Sequence, residues 1–252
     1  KRGTAVFSPK LKVAPQGRTI LHIDELAVPQ GVHTAVIGPN GAGKSTLLRA
    51  LLVRFNARCE LFGAPAAPQI RAGKVAWVAQ NGRYSLPLTV AEYARLGRIG
   101  GGLFRPPPPD HGLLDKLLAE FDLAELSGKR IDTLSGGEQQ RANIVRALMQ
   151  QAPAILLDEP CNHLDIRHQH RLMQFIRRAK GQFNAVMVLH DLNLAAAYAE
   201  HIILMENGRI AAQGSVDEVM QPERLSETYQ WPVERLETDG EIFFRMRNAG
   251  RD

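Results

Sequence analysis

The sequence predicts an α/β fold in which helices cover both faces of a largely parallel β-sheet. Short apolar runs that resemble strands alternate with longer segments of helical apolar spacing, a pattern typical of such sheets. Several of these strands end in glycine or in polar residues, and one glycine-rich turn joins a strand to a helix. The chain has 252 residues, 44% of them hydrophobic, which suits a globular protein with one large domain or with a core and a subdomain.

Individual elements follow from apolar periodicity and from turn residues. Residues 1–37 alternate apolar and polar positions, which indicates strands. The last strand of this region is predicted at 34–37. Further strands are predicted at 75–78, 154–157, 184–189, 202–205 and 209–212. Helices are predicted at 45–55, 136–150, 168–178 and 193–199. Residues 89–130 also show a helical pattern, interrupted by glycines at 100–102 and by an exposed proline connector at 106–109.

Composition limits the classes of protein to consider. The net charge is +5, which suits a solvated basic surface, although nucleic acid or an anionic membrane leaflet remains an alternative. No run of four Lys or Arg occurs, and no apolar run approaches the roughly 20 residues of a membrane span. The start shows no signal-peptide pattern, and the two cysteines have no metal-ligand spacing. We therefore expect a protein of the reducing cytosol.

A phosphate-binding loop is predicted after the strand at 34–37. Its residues are Gly38, Pro39, Asn40, Gly41, Ala42, Gly43, Lys44, Ser45 and Thr46. They match G-x-x-x-x-G-K-[ST] between a strand and a helix, which is the context that supports such a match. Gly41 and Gly43 allow the backbone to curl around a phosphate. Lys44 supplies positive charge to the β- and γ-phosphates, and the Ser45 hydroxyl is suited to Mg²⁺.

Polar residues follow three other predicted strands. Asp158 and Glu159 end one strand, His190 follows another, and Gln80 follows the strand at 75–78. Ligands bind at the carboxyl ends of the strands in open α/β sheets. We expect Asp158 to hold Mg²⁺, Glu159 to polarise an attacking water and His190 to contact the γ-phosphate. Gln80 is expected to contact Mg²⁺ or that water.

A second candidate anion site lies at the start of the predicted helix 136–150. Ser135, Gly136 and Gly137 offer a hydroxyl and backbone N–H groups at a helix start, where positive partial charge favours an anion. One chain that already has a phosphate loop has no evident need of a second such site. We therefore expect it to serve a nucleotide that is held by another copy of the chain.

Together these residues resemble the ATP-binding subunit of ABC transporters, over nearly the whole chain. The motifs that carry the resemblance are similar to Walker A (38–46), Walker B (155–159), the ABC signature (134–138), the Q-loop glutamine (Gln80), the switch histidine (His190) and the D-loop (162–165, which ends at Asp165). They also occur in the order typical of that family.

The resemblance implies a P-loop NTPase with a RecA-like core, whose mixed, largely parallel sheet is joined by an N-terminal antiparallel β region and a helical subdomain. Residues 1–252 would form one ABC ATPase domain, with core at 1–88 and 136–252 and the helical subdomain at 89–135. Two copies would stack head to tail around ATP and Mg²⁺, with Ser135–Gly137, Glu138 and Asp165 acting across the dimer. ATP-driven closure would power permease subunits at the cytoplasmic face of a bacterial inner membrane.

The transporter subgroup is indicated by residues 158–169 and 190–196 and by the tail at 214–219, 229–233 and 242–244. These segments resemble the corresponding segments in importers of iron–siderophore complexes, haem and vitamin B12. The resemblance implies a periplasmic or surface substrate-binding protein as an indirect partner. A zinc, manganese or molybdate importer is the nearest alternative. The cargo does not touch this subunit, so its residues do not identify the cargo.

The chain departs from the family pattern at three positions. Pro15 stands where an aromatic residue commonly stacks on adenine, and Phe7 is too early to replace it, so we expect loose base selectivity. Glu138 replaces the commoner glutamine and brings negative charge near phosphate, and Cys161 replaces the usual threonine.

Two other classes are less well supported. A soluble ABC ATPase acting on ribosomes or DNA usually has two such domains or long coiled-coil insertions, but this chain has one P-loop and no heptad run. We therefore expect no nucleic-acid partner. A nucleotide-binding regulator without turnover would not need Glu159 and His190.

Overall fold

The computed structural model describes residues 5–13, 21–24, 26, 28–54, 58–80, 87–99 and 112–247. The chain divides into two compact units, Lys1–Ala67 with Asn184–Asp252, and Pro68–Phe183. The strands are β1 (Ala5–Val13), β2 (Leu21–Ile23), β3 (Val28–Pro29), β4 (Thr34–Ile37), β5 (Arg58–Leu61), β6 (Ala64–Pro65), β7 (Val75–Val78), β8 (Ala154–Asp158), β9 (Asn184–Val188), β10 (His201–Glu206), β11 (Arg209–Gly214), β12 (Val233–Thr238) and β13 (Glu241–Met246). The helices are α1 (Lys44–Leu51), α2 (Ala66–Arg71), α3 (Val90–Arg95), α4 (Leu113–Glu120), α5 (Gly136–Met149), α6 (Ile166–Arg178), α7 (Leu192–Tyr198), α8 (Val216–Val219) and α9 (Pro222–Tyr229).

Parallel strands form the centre of the first unit. β4 pairs with β9 on one side and with β10 on the other, both in parallel, and β11 adds to β10 as an antiparallel edge. All four residues of β4 are buried, as expected for a strand covered on both faces. The turn at Asn207 and Gly208 joins β10 to β11. This arrangement confirms the mixed, largely parallel sheet.

The N-terminal β region belongs to the same unit and is antiparallel. β1 pairs with β2, β3 and β5, and β5 pairs with β6, always in antiparallel fashion. Phe7 on β1 is fully buried. The fold class predicted from the sequence, with its antiparallel N-terminal strands, is therefore confirmed. The tail segment 242–244 lies on β13, which forms an antiparallel hairpin with β12.

The second unit contains the parallel pair β7–β8 and the long helix α5, which packs against α3, α4 and β7. α5 spans Gly136–Met149, which agrees with the predicted helix. Arg141 on α5 is buried and donates to the carbonyl oxygens of Phe121 (2.6 Å) and Asp122 (3.0 Å) at the end of α4. These bonds satisfy the guanidinium group and fix α4 against α5.

Two helix boundaries differ from the prediction by more than one residue. α1 ends at Leu51, although its apolar pattern continues toward residue 55, because Val53 adopts a left-handed φ of 58° that an α-helix does not accommodate. α6 begins at Ile166, two residues before the predicted start. Its N-cap is Asp165, whose carboxylate accepts from the backbone N–H of His168, and such a cap fixes where a helix begins.

The region predicted to be helical from 89 to 130 contains α3, α4 and two short 3₁₀ segments (Leu96–Ile99 and Ala124–Leu126), and a third (Ile131–Thr133) follows directly after it. The predicted interruptions at 100–102 and 106–109 lie outside the described residues. The subdomain boundaries at 89 and 135 fall within the second unit and stay a prediction.

Candidate functional site

The phosphate loop follows β4 directly and leads into α1. Gly41 has a φ of +81° and Gly43 a φ of +98°, left-handed values that glycine adopts without steric cost. A Cβ atom on Gly38 would lie 2.2 Å from the carbonyl oxygen of Met205, so any side chain there would clash with β10. The three glycines therefore determine the path of the loop backbone.

Lys44 is the first residue of α1 and is only 6% exposed. Its Nζ donates to the carbonyl oxygens of Gly38 (2.7 Å) and Pro39 (2.9 Å). The N-cap of α1 is Gly43, which has no side chain to bond the N–H groups of the first turn. A helix start of this kind carries partial positive charge. Together with the ammonium group, it can receive an anion.

His190 lies near the same edge of the sheet as the phosphate loop. β4 and β9 are parallel neighbours in which Thr34 faces Val186, and the N–H of Leu189 donates to the carbonyl oxygen of Val36 at 3.1 Å. Both strands therefore end at one level. His190 follows at once and is exposed, and the next residue, Asp191, caps α7. This register agrees with the prediction that β9 brings a histidine to the edge of the sheet where the phosphate loop lies.

In the second unit, β7 and β8 bring Gln80 close to the acidic pair. Val78 faces Leu157 in the parallel register. Asp158 is fully buried and Glu159 is 8% exposed. The Nε2 atom of Gln80 donates to Oε2 of Glu159 at 2.6 Å. Two segments that are separated by 79 residues in the sequence thus meet through one hydrogen bond between an amide and a carboxylate.

Asn162 is a further member of this cluster. Its Nδ2 atom also donates to Oε2 of Glu159, and its backbone N–H donates to the carbonyl oxygen of Glu159 at 3.2 Å. Glu159 itself has a left-handed φ of 52°. In the sequence, Asn162 lies in the D-loop after the acidic pair without a predicted role. Its position three residues after Glu159, with Pro160 between them, is a signal that could have indicated a turn.

The candidate signature begins α5 with a capping box. The hydroxyl of Ser135 accepts from the N–H of Glu138 at 3.3 Å, while Oε2 of Glu138 accepts from the N–H (2.8 Å) and the hydroxyl (2.7 Å) of Ser135. The hydrogen bond from the Ser135 hydroxyl is the main reason why the pKa of the Glu138 carboxyl lies below its usual range, and the bond from the Ser135 N–H lowers the pKa further. The Glu138 carboxylate thus binds the Ser135 hydroxyl, which is one of the donors that are predicted to bind phosphate.

The two signature glycines pack against the loop that follows Glu159. A Cβ atom on Gly137 would lie 2.7 Å from the carbonyl oxygen of His163, and one on Gly136 would lie 3.7 Å from the His163 side chain. Buried Gln140 donates through Nε2 to the carbonyl oxygen of Pro160 at 3.2 Å. The start of α5 and this loop are therefore in direct contact.

Asp165 ends that loop and caps α6. Its Oδ1 atom accepts from the backbone N–H of His168 at 2.8 Å and lies 2.9 Å from Nδ1 of the same residue. The backbone hydrogen bond is the main reason why the pKa of Asp165 is lowered. Nε2 of His168 lies 3.4 Å from Oδ2 of Asp122. The Asp165 side chain is thus bound within its own chain.

Within each unit, the structure brings together the predicted residues that belong to it. The phosphate loop and His190 share one edge in the first unit, and Gln80 meets the acidic pair in the second. Phe7 is fully buried, which agrees with excluding it as an adenine-stacking residue. Pro15, which was predicted to occupy the stacking position, lies outside the described residues.

The model of the ABC transporter family matches residues 21–162. The hemin import ATP-binding protein HmuV of Rhodopseudomonas palustris (strain HaA2) is 41% identical over 244 residues, which cover 90% of each chain. HmuV of Streptomyces coelicolor is 40% identical and covers 89% of this chain and 82% of its own length. The petrobactin import protein FatE of Bacillus anthracis is 31% identical over 90% of this chain and 91% of its own.

Solved structures share the fold. One is an inward-facing conformation of a metal-chelate type ABC transporter, with a TM-score of 0.80 and 23% identity over 97% of this chain and 98% of that chain. Another is a dimeric post-hydrolysis state of the ATP-binding cassette MJ0796 bound to ADP and phosphate, with a TM-score of 0.73 and 24% identity over 83% of this chain and 98% of that chain.

With this coverage, the chain belongs to the ABC transporter family. It binds ATP and hydrolyses it to drive transport across a membrane. Among the described residues, no helix is both long and apolar enough to cross a bilayer.

Proposed function

We propose that this chain is the ATPase subunit of a bacterial importer of metal chelates, and that haem is the first cargo to test. The observation that supports haem most directly is the identity of 40–41% to hemin import proteins of two organisms over about nine-tenths of this chain. The 31% identity to a petrobactin import protein keeps an iron–siderophore complex within the same cargo class.

ATP binds to residues 38–46 of one copy. Gly38, Pro39, Asn40, Gly41, Ala42, Gly43, Lys44, Ser45 and Thr46 form this cradle. Lys44 neutralises the β- and γ-phosphates, and the uncapped start of α1 directs N–H groups at them. Ser135, Gly136, Gly137 and Glu138 act on the ATP of the second copy, and Asp165 contributes from the loop that packs on these glycines.

The side chains suit Mg²⁺, which prefers a few hard oxygen ligands and keeps several waters. The ligands would be the hydroxyl of Ser45, the amide oxygen of Gln80 and the carboxylate of Asp158. Asp158 is fully buried, and a bound cation would offset the energetic cost of burying its negative charge. The ion neutralises charge on the phosphates when it is bound. Glu159 polarises the attacking water, and His190 contacts the γ-phosphate.

The partners are a second copy of the chain, arranged head to tail, and integral-membrane permease subunits. The helical subdomain at 89–135 contacts the permease. The chain is peripheral at the cytoplasmic face of the inner membrane, and a periplasmic or surface substrate-binding protein supplies the cargo. Membership of the ABC transporter family supports these assignments.

Growth on haem as the sole iron source tests the cargo. In the bacterium that carries the gene, deletion should abolish this growth, and the wild-type chain should restore it whereas Glu159→Gln should not. Growth on free iron serves as the control, and loss of growth on a ferric siderophore but not on haem would assign the siderophore as the cargo within the same class. If haem supports growth without the gene while uptake of zinc, manganese or molybdate is lost, the metal-chelate assignment is wrong.

Glu138→Gln is expected to lower the KM for ATP about threefold or more. The amide oxygen can still accept from the Ser135 hydroxyl, but the negative charge near the phosphates is gone, which removes repulsion of about 1 kcal/mol at short range in water. The measurement is ATPase activity against ATP concentration at moderate ionic strength.

A matched control is available in the same chain. Ser215 and Glu218 form a capping box with nearly the same distances at the start of α8, far along the sequence from the signature. Glu218→Gln should leave the KM for ATP unchanged. Equal effects of the two substitutions on KM would show that loss of a cap, and not charge near ATP, is responsible.

A further inference from the structure

The carboxylate of Glu159 is held by two amides on one oxygen. Nε2 of Gln80 lies 2.6 Å from Oε2 of Glu159, and Nδ2 of Asn162 donates to the same oxygen. Glu159 is nearly buried, so each of these contacts restricts where its carboxylate can point. A carboxylate oxygen that accepts two N–H donors has little remaining capacity to accept a proton from water.

The two amides differ in where they come from. Gln80 follows β7 and approaches from another segment of the second unit, whereas Asn162 is on the same turn as Glu159. Gln80 is also proposed to bind Mg²⁺ through its amide oxygen, so the direction of its Nε2 depends on where the cation lies. Asn162 is not assigned to Mg²⁺ or to ATP, so its donation to Glu159 does not compete with a bound ligand.

The turn that carries Asn162 is built to stay in place. Glu159 adopts a left-handed φ of 52°, which is unfavourable for a residue with a side chain and persists only where surrounding contacts maintain it. The N–H of Asn162 closes the turn on the Glu159 carbonyl oxygen. Gln140 of α5 donates to the Pro160 carbonyl oxygen, and Gln169 of α6 donates to those of Cys161 (3.3 Å) and Leu164 (3.0 Å).

We propose that Asn162 is a positioning residue for ATP hydrolysis. Its side-chain amide fixes Oε2 of Glu159, so that the other oxygen, Oε1, polarises the attacking water. This proposal rests on the base role assigned to Glu159 above. Asn162 acts only through that carboxylate and contributes nothing to the binding of ATP itself, which distinguishes it from the residues of the phosphate loop.

Asn162→Leu tests this role because leucine has nearly the same size but no donor. We expect kcat at saturating ATP to fall about tenfold or more, as for a misplaced catalytic group, while the KM for ATP stays within about twofold. Asn162→Ser, which keeps a donor, should recover part of the activity. If Asn162→Leu does not fold, Asn162→Asp of the same size carries the test, because it offers Glu159 a like charge in place of a donor.

Gln169→Leu is the matched control. It removes an amide whose hydrogen bonds go to backbone carbonyl oxygens of the same turn. Its kcat should stay within about twofold of wild type, because the Asn162 N–H and Gln140 still hold the turn and the Asn162 side chain still donates to Glu159. If Gln169→Leu loses as much activity as Asn162→Leu, the turn has only a packing role and the proposal is overturned. Wild-type kcat in Asn162→Leu would also overturn it.

A double variant separates this proposal from the proposed function. In a Glu159→Gln background, adding Asn162→Leu should cause no further loss of single-turnover hydrolysis, because residues that act as a unit are not additive. A further tenfold loss would show that Asn162 acts elsewhere. If Glu159→Gln alone keeps normal turnover, the base assignment has failed; if it is inactive while Asn162→Leu is normal, only the positioning role has failed.

Discussion

Glu159→Gln is expected to lower steady-state ATP turnover about a hundredfold or more while ATP still binds. Glutamine has the same size as glutamate but cannot accept a proton, and a positioned general base typically contributes at least this factor. The contacts around Glu159 support the assignment, since the carboxylate is 8% exposed and held by side-chain amides. Because hydrolysis reopens the dimer in this account, the variant should also accumulate as a closed dimer with trapped ATP.

Two measurements check this expectation. Phosphate release gives the turnover, and size-exclusion chromatography with ATP and Mg²⁺ shows whether a nucleotide-bound dimer accumulates. Glu237→Gln, an exposed glutamate on β12, is the control and should behave as wild type in both. Near-normal turnover in Glu159→Gln would exclude Glu159 as the principal base. Another residue of the site would then have to act as the base.

Lys44→Met is expected to weaken ATP binding about a hundredfold, which corresponds to roughly 3 kcal/mol. Methionine keeps most of the apolar stem and removes the charge that the β- and γ-phosphates need. The same change also removes the two hydrogen bonds from Nζ to the carbonyl oxygens of Gly38 and Pro39. The nucleotide-free variant should therefore be somewhat less stable as well.

Binding of a fluorescent ATP analogue without hydrolysis gives the Kd, and thermal unfolding without nucleotide gives the stability. Lys116→Met on α4, where the lysine is exposed, is the charge-matched control and should change neither quantity. An unchanged Kd in Lys44→Met would contradict the phosphate role. A fall in stability together with wild-type binding would leave Lys44 with a purely structural function in the loop.

The sequence predicts the motifs that depend on local order. Strands followed by glycine or by polar residues place the phosphate loop, Gln80, Asp158 and His190 at strand ends, because a strand of known direction fixes which end carries the next residue. The register of β4 with β9 and that of β7 with β8 agree with these placements. Such local rules apply wherever one strand and its turn form a complete unit.

Features that depend on backbone torsions or on distant contacts were not predicted. The end of α1 depends on the left-handed Val53, and the amide contact of Asn162 depends on the left-handed Glu159, although nothing in either residue type favours that conformation. The role of Glu138 in a capping box was readable in principle, since Ser135 and Glu138 have the spacing of that motif. From the sequence, Glu138 is predicted only as a negative charge near phosphate.

Hydrolysis by a shared site is the central claim, because the signature of one copy is proposed to complete the ATP site of the other. The most direct test is ATPase activity per chain, measured at saturating ATP over a wide range of protein concentration without permease. Activity per chain should fall in proportion to protein concentration once the protein is diluted below the dissociation constant of the dimer. Activity per chain that stays constant throughout that dilution would contradict it.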